Sequence, residues 1–140
     1  MKPALQALLI SPDVKERLKI MVGKKRITIR EGHRDYRLEL VMICCPDVPW
    51  IVQATIVDVK HTVLSKVTKE EWEADGYENQ EQMLSDLTKY YPAITMESDV
   101  TVIKWDKITG KLTEPKMVLK YARKNNVYDF LLALLWSQFT

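Results

Sequence analysis

Gly23-Lys24-Lys25-Arg26-Ile27-Thr28-Ile29-Arg30 is the stretch on which the reading of the fold turns. Ile27 and Ile29 alternate with Arg26, Thr28 and Arg30, the period-2 pattern of a strand with one face in a core and two cations and a hydroxyl on the other. Gly23 stands directly before it, where a left-handed residue would end a helix. Working back, Ser11-Pro12-Asp13 supplies an N-cap, a first-turn proline and an early acid, so a helix is predicted from about Pro12 to Val22. Val14, Leu18, Met21 and Val22 would form its buried face. Leu5 to Ile10 ahead of it reads as a short buried strand.

Working forward, Tyr36 to Cys45 and Ile51 to Val59 are rich in Val, Ile and Leu, and Pro46 and Pro49 mark a turn between them. They are expected as antiparallel neighbours. Thr68 and Glu71 stand in capping-box register for a short helix that Asp75-Gly76 ends. Met83, Leu84, Leu87 and Tyr91 space a second helix over Gln80 to Tyr90, stopped at Tyr91-Pro92. Val100 to Trp105 alternates as the final strand, and Pro115 to Phe139 is again helical. Phe130 to Trp136 is apolar around most of that helix, so it must be buried, on the body of the protein or in a homodimer. The pattern is α+β with a small, mainly antiparallel sheet, divided softly into 1–108 and a C-terminal helical extension, 109–140.

Composition narrows the function. The chain has 140 residues, 46% hydrophobic and 29% charged, with only 4 glycines, which excludes disordered and collagen-like classes. No apolar run reaches the ~18 residues of a membrane span, and the start is too short and polar for a signal peptide, so a cytoplasmic protein without membrane association is expected. Cys44 and Cys45 are adjacent and point to opposite faces of an extended chain, which suits reduced strand residues. No metal-ligand spacing is visible and no cofactor is expected. The net charge of +2 hides an asymmetry: Lys15 to Arg37 holds nine basic residues against three acidic, and Lys69 to Asp99 nine acidic against two basic. The charges are then solvated faces, or the two segments dock on each other, or the basic one forms a surface for phosphates flanked by an acidic helical region that repels them.

The octapeptide matches a Gly-x-Lys-x-x-(Glu or Thr)-x-Arg signature, and two later segments fit beside it. Leu64 to Tyr77 resembles an acidic helix ending in Glu-Gly-(Phe or Tyr), with Asp75 at the Glu position. Tyr90-Tyr91-Pro92 and Val100 to Trp105 resemble an aromatic-proline stop and a closing Val-x-Val-Ile-x-(Phe or Trp) strand. Over residues 5 to 106 the chain therefore resembles the ASCH domain, a branch of the PUA-like superfamily. It departs where the family has Gly-Asp before its third strand and this chain reads Arg34-Asp35-Tyr36, and in the shorter acid at Asp75.

The resemblance implies a small β-barrel with helices at its rim and a cleft for RNA, a nucleotide or a modified base. Lys24, Lys25, Arg26, Thr28 and Arg30 are the expected polar contacts, and Tyr36, Trp50 and Tyr77 the candidates for stacking on a base. In small bacterial relatives that hydrolyse N4-acetylcytidine, the catalytic positions match Lys25, Thr28 and Asp75. There a lysine of lowered pKa would deprotonate the threonine, and the acid would orient the lysine or shuttle the proton to the leaving amine. Ribonuclease activity is the weaker alternative, since the only histidines, His33 and His61, lie in different segments.

Overall fold

The computed structural model describes residues 6–11, 13–45 and 50–112. The proline turn at 46–49 and the C-terminal helix, with its expected packing or dimer contact, lie outside the described residues.

A helix, α1 (Val14–Met21), starts at Asp13 rather than at Ser11, because the Asp13 carboxylate accepts the Lys15 amide at 2.9 Å. It ends as Gly23 predicts. Gly23 has φ +81°, which lets its own amide reach the Ile20 carbonyl and the amides of Lys24 and Lys25 reach that of Lys19. The chain is thereby turned straight into the strand β2 (Ile27–Glu31). The inward face of α1 differs from the expected one. Ile20 is fully buried and Glu16, Arg17 and Met21 turn inward, whereas Val14, Leu18 and Val22 are 56%, 58% and 68% exposed. The helix is rotated so that Glu16 can meet a cation from the next segment, a demand that apolar spacing does not register.

Before α1 runs β1 (Ala7–Leu9), and after β2 come β3 (Leu40–Cys44), β4 (Ile51–Val63), β5 (Asp99–Trp105) and β6 (Gly110–Leu112). The sheet order is β1-β3-β4-β5-β2, with β6 added to β4. Among the described residues, only β1 and β3 pair in parallel. The long β4 is the spine: Ile51–Thr55 pairs β3, Ile51–Gln53 also pairs β6, and Ile56–Val63 pairs β5, with a register shift between Ile56 and Asp58. Strand β5 is therefore not the last of the sheet. The sheet curls into an open half-barrel rather than a closed barrel. Its outer strands β1 and β2 do not pair with each other; the Arg30 guanidinium spans the gap, donating to the Leu9 carbonyl at 2.6 Å.

Two cores flank the sheet. One joins Leu8, Ile20, Val41, Ile43, Trp50, Ile56, Ile103 and Trp105; the other joins Ile27 and Ile29 to Val100, Val102 and the helices that follow β4. Those helices are α2 (Lys69–Ala74) and α3 (Gln80–Tyr90), reached through a 3-10 turn at Leu64–Lys66. The capping box forms as read: the Glu71 amide donates to the Thr68 hydroxyl and the Thr68 amide to the Glu71 carboxylate. Met83 and Leu87 anchor α3 in the second core. Cys44 and Cys45 are free and buried, and burial, helped by the neighbouring thiol, pushes Cys44 up to about 12. Among the described residues, no helix is long and apolar enough to cross a membrane.

Candidate functional site

Four elements meet around the turn after α1. Lys25 follows Gly23, and the bond from its amide to the Lys19 carbonyl fixes its backbone. Its ammonium donates to Asp75 Oδ1 at 2.6 Å and to Glu16 Oε2 at 3.0 Å. Asp75 caps the C-terminus of α2, where Gly76 at φ +102° reverses the chain, and its side chain is 4% exposed. Two residues on, Tyr77 donates from its hydroxyl to Asp86 of α3 at 2.7 Å. Beside them β2 presents Thr28, 7% exposed, and Arg30, whose Nε is buried with no hydrogen-bond partner. A buried donor without an acceptor costs about 1–3 kcal/mol, a cost that the fold carries beside this cleft.

Together these residues line a cleft of about 850 Å³, inside the size range of small-molecule sites. Lys25, Thr28, Arg30, Tyr36, Asp75 and Tyr77 are all on its wall. Three expected contacts are elsewhere. Trp50 is buried in the first core at the start of β4, where its ring completes the packing around Trp105 instead of facing a ligand. Lys24 and Arg26 are exposed and outside the cleft, and the Arg26 side chain folds back to the Gly23 carbonyl at 3.1 Å. Sequence reasoning missed Glu16, Arg34, Asp86, Tyr90 and Tyr91, which also line the cleft. Glu16 was hidden by the mis-set face of α1, and the others sit in segments whose apolar pattern or composition marks only structure. The charged lining is balanced, Lys25, Arg30, Arg34 and Lys89 against Asp13, Glu16, Asp75 and Asp86. One charge pair, Lys25 with Asp75, 50 residues apart, joins the basic segment to the acidic one here.

No protein-family model matches the chain, and no curated protein matches it. Solved structures do. The ASCH protein of Zymomonas mobilis superposes with a TM-score of 0.57 at 12% identity, over 82% of this chain and 78% of that one. Protein EF3133 of Enterococcus faecalis V583, of the DUF984 family, gives 0.57 at 9% identity over 81% and 86%. The fold is that of the ASCH domain. In this ASCH fold the first helix, the β2 signature and the acidic helix enclose the cleft.

The electrostatics of the ASCH cleft follow from burial. Desolvation alone would lower the Lys25 ammonium, but Asp75 and then Glu16 outweigh it and hold it above its ordinary value, so it stays charged. This reverses the lowered lysine pKa expected for a general base. Desolvation also dominates at Asp75, pushing its carboxyl up to about 6 against the pull of Lys25. Tyr77 is raised by burial and by Asp75 and Asp86, and stays a neutral donor.

A pH effect with a defined sign follows. The folded Asp75 keeps its proton to higher pH than the unfolded one, so the unfolded chain binds fewer protons between about pH 4 and 6, and this group's contribution to stability falls as pH rises through that window. The stability difference between wild type and Asp75→Asn, from urea melts at pH 4, 5, 6 and 7, is expected to move steadily against wild type up to pH 6 and then level. A difference independent of pH would show that the carboxyl is not perturbed.

Proposed function

We propose that the cleft binds a nucleoside-sized ligand, with the base read at Lys25, Thr28 and Asp75 and stacked on a tyrosine of the wall. The observation that carries this reading is the Lys25 ammonium clamped between Glu16 and Asp75 beside the buried Thr28. A fixed cation next to a carboxylate offers one donor and one acceptor side by side, which complements the carbonyl and exocyclic amine edge of a base. Tyr36, Tyr77, Tyr90 and Tyr91 supply flat apolar faces, each stacking contact contributing about 1–3 kcal/mol. The balanced charge of the lining, and the outward placement of Lys24 and Arg26, favour a single nucleoside or nucleotide over an RNA strand.

Calorimetric titration of the full chain with the four ribonucleosides tests this. One of them is expected to bind, and Lys25→Met and Thr28→Val each to weaken it at least about tenfold, the loss of one charge-assisted or buried hydrogen bond. A polymer ligand would instead reveal itself by oligonucleotide binding with a log-log salt slope near −2, at about −0.7 for each of three phosphate contacts.

A second reading, hydrolysis of an N4-acylated cytidine, is favoured by Lys25, Thr28 and Asp75 sharing this wall. The roles must then differ from the sequence expectation. Thr28 Oγ attacks the acyl carbonyl and gives its proton to the Asp75 carboxylate, while the Lys25 ammonium stabilises the oxyanion. Collapse breaks the C–N bond, the Asp75 proton goes to the leaving amine, and water releases the acyl group from Thr28. Incubation with N4-acetylcytidine should yield cytidine, and Thr28→Val should abolish it; binding without turnover in wild type rejects this reading. His33 and His61 stack on each other at 4.8 Å, outside the cleft lining, and offer a ribonuclease reading no histidine there.

A further inference from the structure

Arg34 is held more firmly than a surface arginine needs to be. Its backbone amide donates to the Thr101 hydroxyl at 2.8 Å, and Thr101 is fully buried and donates in turn to the Gly32 carbonyl at 2.7 Å. Its backbone carbonyl meets His61 Nε2 at 2.8 Å. Its side chain is fixed as well, with Nε donating to the Glu31 carbonyl at 2.9 Å and the guanidinium 5.9 Å from the Tyr91 ring centre. Its two terminal amino groups take no partner among the described residues, and Arg34 is one of the residues that line the cleft. A planar fork with its stem immobilised and both outer nitrogens open is the geometry that takes an anionic oxygen pair bidentately, at little further loss of conformational freedom.

Position along β2 says which part of a ligand it would meet. Thr28 and Arg30 share one face of the strand, and Arg34 Nε is tied to Glu31, three residues beyond Thr28 and about 10 Å along the strand. Thr28 and the backbone anchor of the Arg34 guanidinium are thus about 10 Å apart along β2, a separation comparable to that between the base and the 5′ phosphate of a mononucleotide. Arg30, with its unpartnered Nε, lies between them. Lys89 adds a cation on the α3 wall, although it is paired with Asp86 at 3.8 Å.

We infer that Arg34 is an anion subsite, and that the ligand of the cleft is a nucleoside 5′-monophosphate rather than a free nucleoside. This rests on the nucleoside-sized reading above and adds the charged group that the reading leaves open.

The test compares each of the four ribonucleosides with its 5′-monophosphate by calorimetry on the full chain, wild type, Arg34→Gln and Arg34→Lys. In wild type the best monophosphate is expected to bind at least about tenfold more tightly than its nucleoside, as one charge-assisted contact provides. In Arg34→Gln that ratio should fall below about threefold, and in Arg34→Lys, which keeps the charge but loses the fork and the Glu31 anchor, it should be intermediate. Because the readout is a ratio within one protein, partial unfolding of a variant cancels. Equal binding of nucleoside and monophosphate in wild type overturns the inference and leaves the cleft reading standing. A monophosphate preference that survives Arg34→Gln also overturns it, as does an oligoribonucleotide binding more tightly than any monophosphate. If neither nucleosides nor monophosphates bind, the cleft reading falls and this inference with it.

Discussion

Lys25→Ala is expected to destabilise the protein by about 3–5 kcal/mol, the range for removing one partner of a buried ion pair. The cause is what remains. Asp75, 4% exposed at its side chain, and Glu16 are left facing each other without the ammonium that now lies 2.6 and 3.0 Å from them. Their repulsion acts across α1 and the end of α2, so the turn after Gly23 and the wall of the cleft loosen together. Chemical denaturation at pH 7.5 measures this directly. At pH 4.5, where Asp75 takes up its proton, the same substitution should cost clearly less. Lys25→Met combined with Asp75→Leu should recover most of the lost stability, since a packed apolar pair can replace a buried ion pair, while ligand binding stays abolished. Equal loss in the single and double variants would show that removing the buried carboxylate relieves nothing, and would overturn this account of the loss as that of an unpaired buried charge.

Trp105→Ala is the other change of that size. Trp105 is 2% exposed at the end of β5, pairs with Ile56, and packs in one cluster with Ile20, Ile43 and Val52. Truncation leaves a cavity on the inner side of the half-barrel and is expected to cost about 3–5 kcal/mol. Its indole Nε1 is buried without an acceptor, so Trp105→Phe removes volume and an unsatisfied donor together and should cost clearly less than the alanine change. Urea midpoints with an unchanged denaturant slope check both. Ile20 is the one residue of α1 sealed in this core, and Glu16 lies one turn before it. The alanine variant should therefore also weaken nucleoside binding, although Trp105 is not on the cleft.

Local chemistry was legible where it suffices. Gly23, Thr68 with Glu71, and Tyr91 before Pro92 each encode a helix end by dihedral or hydrogen-bond demands that neighbours alone decide, and α2 and α3 form where those residues put them. Ile27 and Ile29 declared the core face of β2 because a strand's period leaves no other choice. The face of α1 was misread because Val14, Leu18 and Val22 are apolar at helical spacing, while the group that turns the helix, Lys25 with Asp75 behind it, lies outside the helix. Trp50, expected to stack on a base, joins the core for the same reason: whether an aromatic packs or stacks depends on what stands opposite, here Trp105 and its neighbours. The ASCH resemblance named Lys25, Thr28 and Asp75, but the protonation order within them depends on depth of burial, which no spacing conveys.

The pairing of β2 also governs when the molecule can assemble. Among the described residues, strand β2 has a single partner, β5, and the contacts that tie its end to that strand join Gly32 and Thr101, 69 residues apart. As the chain leaves the ribosome, the segment bearing Thr28 and Arg30 is made early and then waits, its Ile27 and Ile29 uncovered, until residues near 105 emerge. The β3–β4 hairpin and the α2–α3 pair are complete before that moment, so closure of β5 against β2 is the late, long-range step. The binding groups acquire their geometry in that same step, which makes ligand affinity a readout of the synthesis of β5, a strand made about 70 residues after them.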